Sequence, residues 1–248
     1  MTVVGAPRHD AVDEARRVLD AAGDLPLRVL GGVAIALSLP REPLLPRTYN
    51  DIDFITVRGD GPRVAKLFEE LGYVGDHQFN GLNGHRRLLF YDTANERRVD
   101  VFVGRFEMSH TWPLERRLAV TERTVPLADL LLTKLQIFAI NEKDQRDIVN
   151  LLHGHKLSAD DRTGINVDYL AERCANDWGL WRTATANLER ARAALPRFEL
   201  SHADEALVTS RLDDTRKRID AQPKTTKWKV RARVGERMQW YEEPEEVG

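Results

Sequence analysis

The sequence is short of several things, and each shortage narrows what the chain can be. It holds one cysteine, Cys174, in 248 residues. A single thiol can build neither an internal disulfide framework nor a cysteine-only zinc site, and it fits a reducing compartment. Neither sign of charge is in excess: 37 Lys and Arg stand against 39 Asp and Glu, a formal net of −2. That balance excludes a wholly basic nucleic-acid coat and a wholly acidic tail protein, while leaving room for a local patch. Long hydrophobic runs are missing. The longest, Leu127 to Leu132, contains Asp129 and is far too short to cross a bilayer. Met1 to Asp10 lacks the apolar core of an export signal and is interrupted by Arg8 and Asp10. Internal repeats and low-complexity segments are absent as well. The expectation is a cytoplasmic protein with no membrane partner, long enough for one large domain or two small ones.

What is present reads as a mixed α/β half followed by a helical half. Val12, Ala15, Val18, Leu19 and Ala22 form one stripe of a helix over 11–22, ended by Gly23 and Pro26. Leu27 to Leu30 reads as a short buried strand, and Gly31-Gly32 as its junction with a helix that Pro40 stops. A loop rich in Pro and Arg spans 40–50. Beyond it, 51–57 reads as a strand and 61–71 as a helix carrying Val64, Leu67, Phe68 and Leu71. Segments 86–92 and 97–103 read as a hairpin turning at Thr93-Ala94-Asn95. In its second strand Val99, Val101 and Val103 face one way, and Asp100 and Phe102 the other. From about Pro126 the pattern is helical: 127–140, 144–152, 167–176, 180–195 and 203–221.

Three carboxylates stand out as candidates for chemistry. Asp51 and Asp53 are two apart at the start of a strand, so both emerge on one face. Ionised carboxylates that close repel each other, and a divalent cation relieves the repulsion. Mg²⁺ suits such a pair, because it prefers oxygen ligands and keeps positions open for phosphate and water. With Asp100 on a neighbouring strand, three carboxylates could hold two metals, the arrangement for displacement at phosphorus. Asp-x-Asp also serves simply to cap a turn. Upstream, however, Gly31-Gly32 provides close backbone approach and amides for an anion. Arg47 and Thr48 come just before the acidic pair.

The run GGVAIALSLPREPLLPRTYNDIDFIT resembles the Gly-Gly/Ser … Asp-x-Asp signature of the nucleotidyltransferase fold shared with DNA polymerase beta. Its R-T-x-x-D-I-D-F form resembles bacterial members, including AbiEii-type toxin and antibiotic nucleotidyltransferases. LLLTKLQIFAINEKDQRDIVNLL resembles the helical Lys … Lys-Asp-x-x-Asp pattern of the toxin-like branch, at Lys134, Lys143, Asp144 and Asp147. The resemblance covers roughly 27–152. It implies an α+β fold: a nucleotidyltransferase-like mixed sheet with flanking helices, followed by a mainly helical C-terminal domain. The expected domains are a catalytic one over 1–125, a helical one over 126–222 and a basic-then-acidic tail over 223–248.

By the same resemblance, an NMP passes from an NTP to an acceptor hydroxyl and pyrophosphate leaves. Gly31 and Gly32 would hold the triphosphate with Arg47 and Thr48, Asp51 and Asp53 the metal, and Lys134 a phosphate. Asp100 would be the third metal ligand and candidate base, giving a two-metal Mg²⁺ site. Asp144 and Asp147 would organise the nucleotide or acceptor side. Gly32 stands where many members have Ser, and the gap to Asp51 is longer than in the tightest form of the motif. Read without the family, Lys134 could lay its stem over the core, and Asp144 and Asp147 could be a helix cap and a surface ion pair.

Late in the chain, nine basic residues lie between Arg211 and Arg233, against Asp213, Asp214 and Asp220. Lys224, Lys227, Trp228 and Lys229 are the candidate acceptor-binding residues, offering charge and a stacking ring to RNA such as a tRNA end. The competing reading is a solvated helix face and a strap that docks Trp228 on the body. The closing stretch from Tyr241 carries four glutamates that could mask the basic strip. His153 and His155 read as solvent-exposed, Cys174 as buried filler, and His85 beside Arg86 and Arg87 either as a nucleotide neighbour or simply as the start of a strand. An aminoglycoside- or lincosamide-type acceptor, or a non-catalytic nucleotide- or RNA-binding relative, is the alternative. The toxin-like branch adds an antitoxin protein as an expected partner.

Overall fold

The apolar residues that alternate along the two central strands place one buried face of a sheet against helices and leave the other to carry polar groups. The computed structural model describes residues 10–243. Positions 1–9 of the stretch read for an export signal, and the last five residues of the acidic end, lie outside the described residues. The chain divides into two compact units. One takes the residues up to Leu37, Thr48–Phe106 and Trp112–Val125; the other takes Ser38–Arg47, Glu107–Thr111 and everything from Pro126.

The first unit opens with α1 (Ala11–Ala22), capped by the Asp10 carboxylate, which accepts from the Val12 amide. β1 (Arg28–Leu30) leads directly into α2 (Gly31–Ser38). β2 (Asp51–Thr56), α3 (Gly61–Glu70), β3 (Val74–Gly75) and α4 (His77–Asn83) follow. The hairpin of β4 (Arg87–Asp92) and β5 (Arg97–Val103) forms as the alternation implied. Asp92 accepts from the amide and side chain of Asn95 in its turn. The short strands β6 (Arg105–Glu107) and β7 (Thr111–Pro113) come next. Helix α4 was not foreseen; its apolar content is too low to mark a stripe, and the Asp76 cap on the Phe79 amide starts it.

The five-stranded sheet has the order β1-β2-β5-β4-β3, with β2 and β5 parallel and the other neighbours antiparallel. It is therefore a mixed sheet. Ile52 and Phe54 of β2, Val99 and Val101 of β5, and Leu88 and Phe90 of β4 share the buried face, since they are register partners. Phe68 of α3 closes that face, stacked on Phe90 at 4.8 Å and edge-on to Phe54 at 5.5 Å. Such aromatic pairs add about 0.5–1.5 kcal/mol each beyond the area they bury.

The second unit is built mainly of helices: α5 (Leu127–Leu135), α6 (Glu142–Gly154), α7 (Val167–Asn176), α8 (Trp178–Ala194), α9 (His202–Ala221) and α10 (Thr226–Val234). Between α6 and α7, β8 (Leu157–Ser158) and β9 (Ile165–Asn166) pair in parallel. Two expectations are corrected. Helix α5 stops at Leu135 rather than reaching 140, because the Asn187 side chain donates to the carbonyls of Leu135 (2.9 Å) and Ile137 (2.7 Å) and takes over its C-terminal end. The segment read as a tail from 223 contains α10, started by the Thr225 hydroxyl that accepts from the Trp228 amide. Among the described residues no helix is long and apolar enough to cross a membrane.

Candidate active site

The polar face of the sheet follows from period-two alternation. Asp51, Asp53 and Ile55 of β2 lie opposite Arg98, Asp100 and Phe102 of β5, and Leu89 of β4 lies opposite Asp100. Asp51 is exposed, Asp53 half-buried and Asp100 buried. β1 completes this face, with Leu30 opposite Asp53. The next residue, Gly31, turns the chain into α2 with φ of +71°, in the left-handed region. Its α-carbon lies against Asp53: a Cβ there would stand 2.4 Å from Asp53 Oδ2. Glycine is required at this position twice over, by backbone conformation and by space. Gly31 and Gly32 are both buried at the start of α2, where the first amides lack intrahelical partners.

Asp100 is the expectation that the geometry changes most. Arg87 grips its Oδ1 with Nε at 2.8 Å and Nη2 at 2.7 Å, and Arg98 Nε lies 3.1 Å from Oδ2. Arg87 also stacks over the Phe102 ring at 5.3 Å, which fixes its plane. Among the described residues, no three His, Cys, Asp or Glu side chains are grouped so as to hold a metal. The donor chemistry of Asp51 and Asp53 fits a hard divalent cation. The three-carboxylate, two-metal arrangement does not fit, because both oxygens of its third member are held by guanidinium groups. His85 is exposed in the loop before β4, and no motif in the sequence marks Arg87 or Arg98. Their parity with Asp100 along the two strands was the available signal.

Four other expected residues come together in the second unit. Lys134 Nζ lies 3.0 Å from both Asp144 Oδ1 and Asp147 Oδ2. Arg47 meets the Asp147 carboxylate in a two-pronged pair at 2.8 and 2.7 Å. Burial works against the Lys134 charge, but Asp147 and Asp144 outweigh it and hold the ammonium above its usual pKa. Burial likewise opposes the Asp147 charge, and Lys134 and Arg47 overcome it, so this carboxyl lies below the usual range. Asp144 belongs also to a capping box with Asn141 at the start of α6. The Asn150 side chain ties the same loop down, bonding the amide and carbonyl of Leu45 at 2.8 and 2.9 Å. Thr48, next to Arg47 in sequence, is exposed and belongs to the first unit.

Six of the nine basic residues of the strip have partners within the chain. Arg211 donates to the carbonyls of Leu152 and His153, ending α6, and Lys224 donates to those of Ile219 and Gln222, ending α9. Arg216 pairs with Asp220 and Glu189, Lys217 with Asp214, Arg218 with Asp168, and Arg231 donates to Gly235 and Met238. Trp228 is half-buried, edge-on to Trp181 at 5.1 Å, so the docking alternative holds for it. Lys227, Lys229 and Arg233 remain exposed. His153 and His155 are half-buried rather than solvent-exposed. His153 bonds Asp204 and His155 bonds Ser38, the latter with its pKa lowered chiefly by burial. Cys174 is buried, as expected.

No family model and no curated protein matches the chain. Among solved structures, it is similar to a STING-associated CdnE c-di-GMP synthase from Capnocytophaga granulosa, at 13% identity over 85% of this chain and 78% of that one, with a TM-score of 0.29. That score is too low to establish a shared fold, so the chemistry is argued from this chain's own residues.

Proposed function

We propose that the protein is a metal-dependent nucleotidyltransferase that moves an NMP from an NTP to an acceptor hydroxyl and releases pyrophosphate. The approach of Gly31 to Asp53 carries this reading. A left-handed glycine at a strand-to-helix junction, with no room for a Cβ beside one of two paired carboxylates, supports this reading because such a turn suits a phosphate chain next to a cation. Held by Asp51 and Asp53, Mg²⁺ would neutralise triphosphate charge and polarise the reacting phosphorus. The Gly31-Gly32 turn brings the partial positive charge of a helix start to the triphosphate. The acceptor oxygen attacks the α-phosphorus while the bond to the pyrophosphate oxygen breaks, and the acceptor proton passes to water. Such chemistry depends mainly on positioning and charge stabilisation. Arg47 and Lys134, whose charges are met by Asp144 and Asp147, are assigned here to fastening the loop 38–47 onto α5 and α6.

The acceptor has two readings. RNA, with a toxin-like role and an antitoxin partner, would use the exposed Lys227, Lys229 and Arg233. A small hydroxylated molecule is favoured by the internal use of the other six basic residues of the strip. The test is incubation with each labelled NTP and Mg²⁺, in the presence of total RNA or of a panel of hydroxylated antibiotics. Label is expected in one of them and absent with the double variant Asp51→Ala, Asp53→Ala. Label in RNA that falls with Lys227→Glu and Lys229→Glu supports the first acceptor; label in a small molecule that ignores those changes supports the second. Undiminished transfer by the double aspartate variant overturns the reading. NTP binding without transfer replaces it with a binding module.

A further inference from the structure

Resting on the nucleotidyltransferase reading, we infer that this site works with one divalent cation per chain, and that Arg98 and Arg87, held in place by Asp100, supply the positive charge a second cation would otherwise bring. Arg28, opposite Ile55 on the same face, donates to the carbonyls of Leu27 and Thr121. Around Asp53 and Asp100 the face holds three carboxylates, Asp51, Asp53 and Asp100, and two guanidinium groups, Arg87 and Arg98. Their formal sum is −1. One divalent cation brings it to +1, a charge suited to receiving a triphosphate. Two would bring it to +3, which the fixed arginines oppose.

The geometry points the same way. Asp100 is 1% exposed, and to coordinate a metal it would have to leave the largely buried Arg87 guanidinium uncompensated and release Arg98. Arg87 is 14% exposed and locked between Asp100 and the Phe102 ring. Arg98 is 37% exposed and sits directly opposite Asp51 across β2 and β5. A planar fork oriented by a buried carboxylate suits recognition of phosphate oxygens. Asp100 is on this account a positioning residue, and Arg98 a contact to the triphosphate.

The test counts metal ions on the full chain. Bound Mn²⁺ is measured by equilibrium dialysis with electron paramagnetic resonance detection, in the presence of a saturating non-hydrolysable NTP analogue whose affinity is measured alongside. The wild type is expected to hold one Mn²⁺ per chain. Arg98→Ala should weaken the analogue at least tenfold and still hold one Mn²⁺ when saturated, with Arg98→Lys recovering part of the affinity. Asp100→Asn should behave like Arg98→Ala; Arg98→Ala, at a partly exposed position, carries the test if Asp100→Asn does not fold. Two Mn²⁺ per chain, unchanged analogue affinity in Arg98→Ala, or loss of the single Mn²⁺ in a folded Asp100→Asn protein overturns the inference and leaves the nucleotidyltransferase reading standing. Absence of both Mn²⁺ and analogue binding in the wild type overturns that reading, and this inference with it.

Discussion

Replacing Gly31 by alanine tests the proposed site at the point where fold and chemistry meet. The added Cβ meets two obstacles. The first is conformational: φ of +71° is left-handed, and holding a non-glycine residue there costs on the order of 1–3 kcal/mol. The second is steric: the new carbon would stand 2.4 Å from Asp53 Oδ2, so the carboxylate must give way. Restoring ordinary contact displaces it by about 1 Å, and a misplacement of that size at a reacting centre can cost about 10²-fold in rate.

Gly23 separates the two effects. It too has a positive φ, 54°, but a Cβ there meets nothing within 4 Å. Gly23→Ala should therefore lose about 1–3 kcal/mol of stability by denaturant unfolding and keep its rate of nucleotide transfer. Gly31→Ala should lose at least as much stability and, under conditions where it is folded, about two orders of magnitude in rate. Equal behaviour of the two variants in both measurements would refute the claim that the Gly31–Asp53 approach shapes the site.

Asp147→Ala leaves Arg47 and Lys134 short of a buried counter-charge and should cost about 3–5 kcal/mol in a urea or guanidinium titration. The pH dependence has a definite sign. The folded pKa of Asp147 is depressed, so its contribution is present above the unfolded carboxylate value near 3.9 and fades as pH falls through the folded value. The folded pKa of Lys134 is raised, so its contribution is full below about 10.4 and is lost only as pH rises through the still higher folded value. The stability gap between wild type and Asp147→Asn should accordingly close in acid, as unfolding followed at several pH values will show. Burial pushes the Cys174 thiol up to about 12, so a thiol reagent at pH 8 should leave the native protein unlabelled and react once denaturant is added; rapid native labelling contradicts the burial. Asn187→Ala strips the carbonyls of Leu135 and Ile137 of their donor and should cost about 1–3 kcal/mol by chemical denaturation, a loss that Asn187→Leu should not restore.

Local pattern carried much of this molecule. The period-two alternation of 97–103 placed Asp100 on the face away from Val99 and Val101, and the turn residues after Asp92 marked the hairpin. Stripe spacing located most of the helices, because each must bury one face. The junction at Gly31-Gly32 and the pair Asp51 and Asp53 were legible for the same reason: strand, turn and helix starts are encoded within a few residues. Which cation meets which carboxylate was not, since it depends on contacts between elements distant in sequence. Arg47 and Asp147 are 100 residues apart, and Asn187 lies 52 and 50 residues from Leu135 and Ile137. Composition alone could not tell a basic strip from six residues spent on helix ends and ion pairs. The sequence by itself determined the alternating faces, the helix stripes, the glycine turn and the acidic pair. Only the tertiary structure decided that two arginines hold Asp100 where it stands opposite Asp53, because the strand register sets which side chains share the polar face.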